Sequence, residues 1–351
     1  MTIFLKNIPG SLPIFRLVQI WFLAITALLF VVTISCKEGN SASETDDVNV
    51  LESGPFKDLS KQIRNSPDNP SLYIERGQLL SQHQLHKLAA TDFNKAWELQ
   101  PDEKTGLLTS ANLFLAGSDK EAIDFLLTCS KKFPSNPEFP RRLGEAYQQL
   151  GKTREALAQY DTILQQDSGN FEAWYEKAAL LAQAGDTIEA TGALETAYSI
   201  QPLQHYGISL ANLYAESRNA KVLELCNELI AKDSTGELTD AVFVKGIYYS
   251  NTGQKDKALE EFENCINRDW KFIDAYIEKG IILYTDRNID EALKTFALAA
   301  KVSNTDPDAY YWMARCFESI GKKDEAVDNY RRALALDRTF IEAARGMERL
   351  K

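Results

Sequence analysis

An all-α chain of about eight stacked helical hairpins, an α-solenoid, is the fold class that this 351-residue sequence predicts. Three observations predict it. Alanine returns at one place of a period of about 34 residues, at Ala89, Ala122, Ala156, Ala190, Ala258, Ala292 and Ala326, with Val222 as the exception. Twelve residues before each of these stands a small residue (Gly77, Gly144, Ala178, Gly246, Gly280, Ala314), with Ser110 and Leu210 departing. Four residues after the alanine comes a ring or large apolar group: Phe93, Leu126, Tyr160, Leu194, Phe262, Phe296 and Tyr330, with Cys226 in the remaining copy. Small residues at one level and rings at another are what two crossing helices and a filled gap between hairpins require.

The N-terminal segment reads as an address rather than as part of the fold. Residues 1–16 lack acids and carry Lys6 and Arg16, and an apolar run from Leu17 to Ile34 follows, broken by Gln19, Thr26 and Thr33. That order of cationic head, apolar stretch and small residues is that of a secretory signal. Its end, Thr33-Ile34-Ser35-Cys36, resembles the lipobox of bacterial lipoproteins, although Thr33 stands where Leu is usual. The resemblance implies cleavage after residue 35 and lipidation of Cys36, and Lys37 after it implies the outer membrane. The alternative is a retained single-pass anchor in the inner membrane, since eighteen apolar residues just cross about 30 Å of hydrocarbon. Either way the body is expected in the cell envelope, held to a membrane. Residues 36–55 are polar, small and acidic, a flexible tether of about 22–26 Å.

From there the elements run in order. Residues 56–69 are expected to form an N-terminal capping helix. Eight repeats follow over 70–340, bounded as 70–102, 103–136, 137–170, 171–202, 203–238, 239–272, 273–306 and 307–340. Each holds a helix of about twelve residues, a turn and a second such helix, with the turn often marked by glycine at Gly117, Gly151, Gly185, Gly253 and Gly321. A closing proline appears as Pro101, Pro134 and Pro202. Repeat 203–238 is the most divergent and ends in a two-residue slip at Glu237-Leu238. A second capping helix is expected over 341–351. The residues quoted, and segments such as DPDAYYWMARCFESIGKKDEAVDNYRRALALD, resemble the tetratricopeptide repeat. The resemblance implies a right-handed superhelix whose first helices line an inner groove that binds other proteins.

Composition narrows the function. The chain carries 39 Lys and Arg against 50 Asp and Glu, a net charge of −11. Without a basic run, such a chain repels a phosphate backbone, so no nucleic acid is expected as partner. Of the cysteines, Cys36 is the expected lipidation site, and Cys129, Cys226, Cys265 and Cys316 sit at packing places with no zinc-ligand spacing. His83 and His86 could pair with Asp92 around a metal, but they fall at an exposed turn without a third ligand at fixed spacing. His205 stands alone, and pairs such as Glu260-Glu261 read as solvated helix faces. No phosphate loop, dinucleotide fingerprint or nucleophile elbow is present. The expectation is a non-catalytic chain that uses no cofactor and no metal.

The family resemblance also says where a partner would lie. Places five, nine and twelve of each repeat point into the family's groove. Here they are Leu107 and Phe114, Arg141, Tyr175, Tyr214, Phe243 and Ile247, Ile277, Ile281 and Tyr284, and Tyr311 and Arg315. Family members that clamp a C-terminal carboxylate use Lys at place five and Asn at place nine, and this sequence has neither there, so such a clamp is not expected. About 100 Å² on each of four aromatic anchors is worth roughly 10 kcal/mol, close to the cost of association. Moderate, reversible affinity for a helical or extended segment is the expectation. An alternative is self-association, with the groove taking the chain's own cap or another copy.

Overall fold

The computed structural model describes residues 49–350, apart from 235 and 237. Two compact units divide at Ile200 and Gln201. Among the described residues every regular element is helical.

The first unit begins with a single turn of 3-10 helix, Gly54–Phe56, and α1 (Lys57–Asn65). Four hairpins follow: α2 (Pro70–Gln82) with α3 (His86–Leu99), α4 (Glu103–Leu115) with α5 (Asp119–Lys132), α6 (Glu138–Gln149) with α7 (Thr153–Gln166), and α8 (Phe171–Gln183) with α9 (Thr187–Ile200). The second unit holds α10 (Gln204–Glu216) with α11 (Lys221–Lys232), α12 (Thr239–Asn251) with α13 (Lys255–Arg268), α14 (Ile273–Thr285) with α15 (Ile289–Val302), α16 (Pro307–Ser319) with α17 (Lys323–Leu336), and the single helix α18 (Ile341–Arg349).

Local chemistry sets the helix starts and stops. Asn69, Asp102, Asn170 and Asp306 accept backbone N–H groups of the first turns that follow them, which satisfies donors a helix start leaves open. Pro70 and Pro307 occupy first helical positions, where the missing N–H costs nothing. The first helices end in a left-handed residue. At Gly117 (φ 74°), the N–H bonds Phe114 at 2.9 Å and the next N–H reaches back to Leu113, a Schellman stop. The same place is filled without glycine by Gln84, Arg218 and Arg287, at φ 62°, 57° and 65°.

The repeating small and large places meet within each hairpin. A Cβ added to Gly77 or Gly144 would lie 2.9 Å from the ring of Phe93 or Tyr160 respectively, and one on Gly246 would lie 2.5 Å from Phe262. So a ring on the second helix fills the space of the side chain that the first helix lacks. Departures from the pattern keep the sum of volumes roughly constant. Leu126 comes with Ser110, Leu194 with Ala178, and the smallest late residue, Cys226, with the largest early one, Leu210; all are buried. Tyr330 faces Ala314 in its own hairpin, and the missing close approach is supplied by Gly346 of α18. In the slip region Leu238 is buried, and its N–H bonds the Asp233 carboxylate at 2.8 Å.

Candidate protein-binding surface

Taken unit by unit, the predicted groove residues divide by burial. In the first unit Leu107, Phe114, Arg141 and Tyr175 are half-buried. Leu107 and Phe114 rest on the cluster around Leu126, Phe139 and Leu143. Arg141 is occupied locally: its guanidinium donates to Glu138 at 2.6 and 2.8 Å and pairs with Glu145. In the second unit Ile281, Tyr284 and Arg315 are half-buried.

Tyr214, Phe243, Ile247, Ile277 and Tyr311 are buried, which corrects the expectation that they line an open surface. Phe243 packs between the rings of Phe262 and Phe272. Ile277 joins a cluster with Ala309 and Cys316 of the next first helix. Tyr311 lies against Tyr330 and Phe340. Adjacent first helices touch (α14 with both α12 and α16), so side chains at these places are claimed by the neighbouring hairpin. Fewer open rings remain than the sequence predicts, and the affinity they support is correspondingly lower.

One ring the sequence reading missed belongs with the open set. Trp312 is half-buried on α16, stacked on Phe296 at 5.8 Å and edge-on to Tyr284 at 5.7 Å. Arg315 fixes this corner. Its guanidinium donates to the Tyr311 hydroxyl at 3.1 Å and the Tyr284 hydroxyl at 3.4 Å, and sits 5.7 Å from the centre of the Tyr284 ring. The result is a preorganised aromatic shelf, which limits the ordering cost of binding.

Acids form a second feature that sequence reading missed. Asp240, Asp274 and Asp308 occupy the second place of three successive first helices, and Glu278 follows Asp274 by one turn. Burial, then Asp306 and Asp240, raise the Asp274 carboxyl to about 6. Glu278 is 8% exposed. Burial, then Asp274 and Asp308, push its carboxyl up to about 8. The signal was available: aspartate recurs with the repeat period, and an acid holds a place taken by Val244 and Trp312 in the flanking repeats.

The remaining polar groups are largely structural. Asp92 is buried and grips Arg76 through two hydrogen bonds of 2.7 Å, while Arg76 also donates to Ser60 of α1. Asp92 is thus occupied, and His86 approaches Asn112 at 3.1 Å. Glu261 is not a solvated surface acid, because it pairs with Lys245 at 2.8 Å with both side chains mostly buried. Cys129, Cys226, Cys265 and Cys316 are buried, and burial pushes their thiols up to about 12. No helix of the described residues is long and apolar enough to cross a membrane. The apolar run Leu17–Ile34 and Cys36 lie outside the described residues.

Comparison with known proteins agrees with this architecture. Tetratricopeptide repeat models match residues 141–204, 239–269 and 307–340. The Protein CTR9 homolog of Arabidopsis thaliana is 22% identical over 303 residues, which is 83% of this chain and 28% of that protein. Tetratricopeptide repeat protein 37 of Xenopus laevis is 21% identical over 326 residues, 88% of this chain and 20% of that one. The chain therefore spans under a third of the length of either relative. Among solved structures, PilW, titled a widely conserved type IV pilus biogenesis factor, covers 60% of this chain and 97% of its own at 17% identity, with a TM-score of 0.49. The Cut9–Hcn1 hetero-tetramer of the APC/C covers 89% of this chain and 60% of its own at 17% identity, with a TM-score of 0.47. Tetratricopeptide repeat models thus match three segments of the chain, 141–204, 239–269 and 307–340, and the same small and ring places run through the other hairpins of the described residues.

Proposed function

We propose that this chain is a non-catalytic adaptor that holds segments of other proteins against its first helices and is itself held at a bacterial membrane by its N-terminus. The observation that carries the binding part is the shelf of Tyr284, Trp312 and Arg315. It is a partly open aromatic group locked by hydrogen bonds from one arginine. Rigid aromatic and arginine groups of this kind are what protein interfaces use as anchors. Support for the tether is sequence alone: the cationic head, the apolar run, Cys36 and the polar stretch behind it. The cell envelope is then the site of action, with lipid on Cys36 or a retained span as the two means of attachment.

Photo-crosslinking in the native cell tests the binding part. A benzophenone amino acid at position 284 or 175 is expected to capture partner proteins, whereas one at Ile188, 88% exposed on a second helix, is not. Equal capture from all three positions would refute it. For the tether, a Cys36→Ala chain is expected to lose labelling by a fatty-acid analogue. Persistent labelling would remove the lipoprotein reading, and membrane association without any labelling would favour the retained span.

A further inference from the structure

Three cations of the second unit are half-buried among the described residues: Lys245, Lys279 and Arg315. Two are answered by carboxylates of a neighbouring helix. Lys245 pairs with Glu261 at 2.8 Å, and Lys279 pairs with Glu263. Arg315 differs, because its hydrogen bonds run to the neutral hydroxyls of Tyr311 and Tyr284. The carboxylate beside it, Glu318, stands 3.8 Å from its Nε, beyond hydrogen-bond range. Glu318 is committed elsewhere: Arg349 of α18 donates to it at 3.0 and 3.1 Å, and the Tyr330 hydroxyl of α17 at 2.5 Å.

Stripping water from a guanidinium is costly unless acceptors replace it. The group is a fork of N–H donors with no acceptor of its own, and part of that fork is unspent here. Tyr284 adds to the surplus. Its hydroxyl oxygen receives from Arg315 at 3.4 Å, so its own proton must point elsewhere, and no acceptor for that proton stands among the described residues. Tyr311 is buried and anchors the guanidinium. Arg315, by contrast, keeps 29% of its side chain exposed, and Tyr284 and Trp312 are half-buried. The unspent donors therefore sit on accessible surface.

We infer that this corner of α14 and α16 receives an aspartate or glutamate side chain of the partner segment, its carboxylate held by Arg315 and the Tyr284 hydroxyl, with an apolar neighbour of that residue laid on Trp312. The inference rests on the protein-binding reading above and names the chemistry of its ligand. An ionised carboxylate is acceptor-only, and its pair of oxygens suits the edge of a guanidinium. A lysine or arginine would meet like charge. A glutamine would bring donors of its own to a place where donors are already in excess. The acidity of the whole chain, net −11, opposes approach only weakly, since charges beyond about 8 Å are screened at physiological salt.

The test uses the intact chain near neutral pH and dodecapeptides blocked at both ends, read by fluorescence anisotropy. Their centres are Leu-Glu-Leu, Leu-Gln-Leu or Leu-Lys-Leu in an otherwise alanine and serine sequence, and a fourth peptide joins the glutamine centre to a free C-terminal carboxylate. The glutamate peptide is expected to bind about tenfold tighter than the blocked glutamine peptide, with the lysine peptide weakest. Arg315→Gln should bring glutamate and glutamine within about twofold, and Tyr284→Phe, which keeps the ring, should reduce the preference about threefold. A glutamate preference that survives in Arg315→Gln, or equal binding of the three blocked peptides, overturns the inference. Should Arg315→Gln fail to fold, Tyr284→Phe decides, and an unchanged preference there overturns it. A free-carboxylate peptide that binds as tightly as the glutamate one also overturns it, because the corner would then read a chain end. If no peptide binds, the inference falls as well. Crosslinking of partners from position 284 in the cell would then leave the protein-binding reading standing, and silence there ends both.

Discussion

Glu278→Gln is expected to stabilise the second unit at alkaline pH and to leave it unchanged in mild acid. The carboxyl is raised from 4.5 to about 8, first by burial and then by Asp274 and Asp308. Between those values the unfolded chain has released a proton that the folded chain keeps, so the stability the neutral acid allows is intact below about pH 4.5 and is lost as pH rises through about 8. Each pH unit in that interval is worth about 1.4 kcal/mol, which sets an upper limit near 5 kcal/mol. Rotation of the carboxyl toward water and an effective dielectric near 20 reduce this, and a loss of about 2 kcal/mol is the working figure. Glutamine cannot ionise and escapes the loss. Urea unfolding alone is a blunt assay, because long repeat arrays need not unfold as one unit. Amide exchange across Ile273–Thr285 reads the opening of this helix directly. The two chains should agree near pH 5 and separate by about 2 kcal/mol near pH 9, with the variant the slower to exchange. Equal protection at every pH, or a variant less protected at pH 9, would mean that the carboxylate is already satisfied in the empty chain.

Other consequences are measurable by equilibrium unfolding or labelling. Arg76→Ala strands Asp92 in the interior and is expected to cost about 3–5 kcal/mol near neutral pH, whereas Arg76→Met with Asp92→Leu should cost much less. Gly246→Ala gains helix propensity of about 1 kcal/mol but drives a methyl into Phe262, for a net loss of about 1–2 kcal/mol. Pairing it with Phe262→Leu should recover part of that loss, as the natural Ala178–Leu194 pair suggests. Arg287→Gly relieves a left-handed non-glycine residue and should gain about 0.5–1 kcal/mol, net of the freedom glycine adds to the unfolded chain. Cys129, Cys226, Cys265 and Cys316 should resist iodoacetamide at about pH 8 in the folded chain and react together after denaturation, and early labelling of any one would contradict its burial.

How far the sequence could be read depended on whether a place serves the repeat or the ligand. Ala190, Ala258 and the Gly–ring pairs were legible because every hairpin solves the same crossing, so each place is sampled eight times within one chain. Leu210 with Cys226 looked like two faults when the places were read singly; the structure makes them one exchange of volume. The groove was legible only in outline. Ile277 and Ile281 stand one turn apart on α14, and nothing in their identity says that the first is sealed by α16 and the second is not. That distinction is set by the packing of neighbouring first helices, which no single repeat encodes. Trp312 and Glu278 were missed because the family's groove places are five, nine and twelve, and these two stand at place six.

Place six also shows where such a frame leaves its sequence free. A hairpin's fold is secured by its eighth, twentieth and twenty-fourth places, all of which are buried in the repeat that holds Glu278: Gly280, Ala292 and Phe296. Place six lies outside that set, so Val244, Glu278 and Trp312 can differ without altering the crossing. An apolar residue at 278 would be more stable by the argument above, and Val244 shows that the site accepts one. The acid therefore adds nothing to the array's own stability. Once ionised it weakens the unit as pH rises, so position 278 brings a pH dependence that Val244 and Trp312, at the same place in the flanking repeats, cannot give theirs.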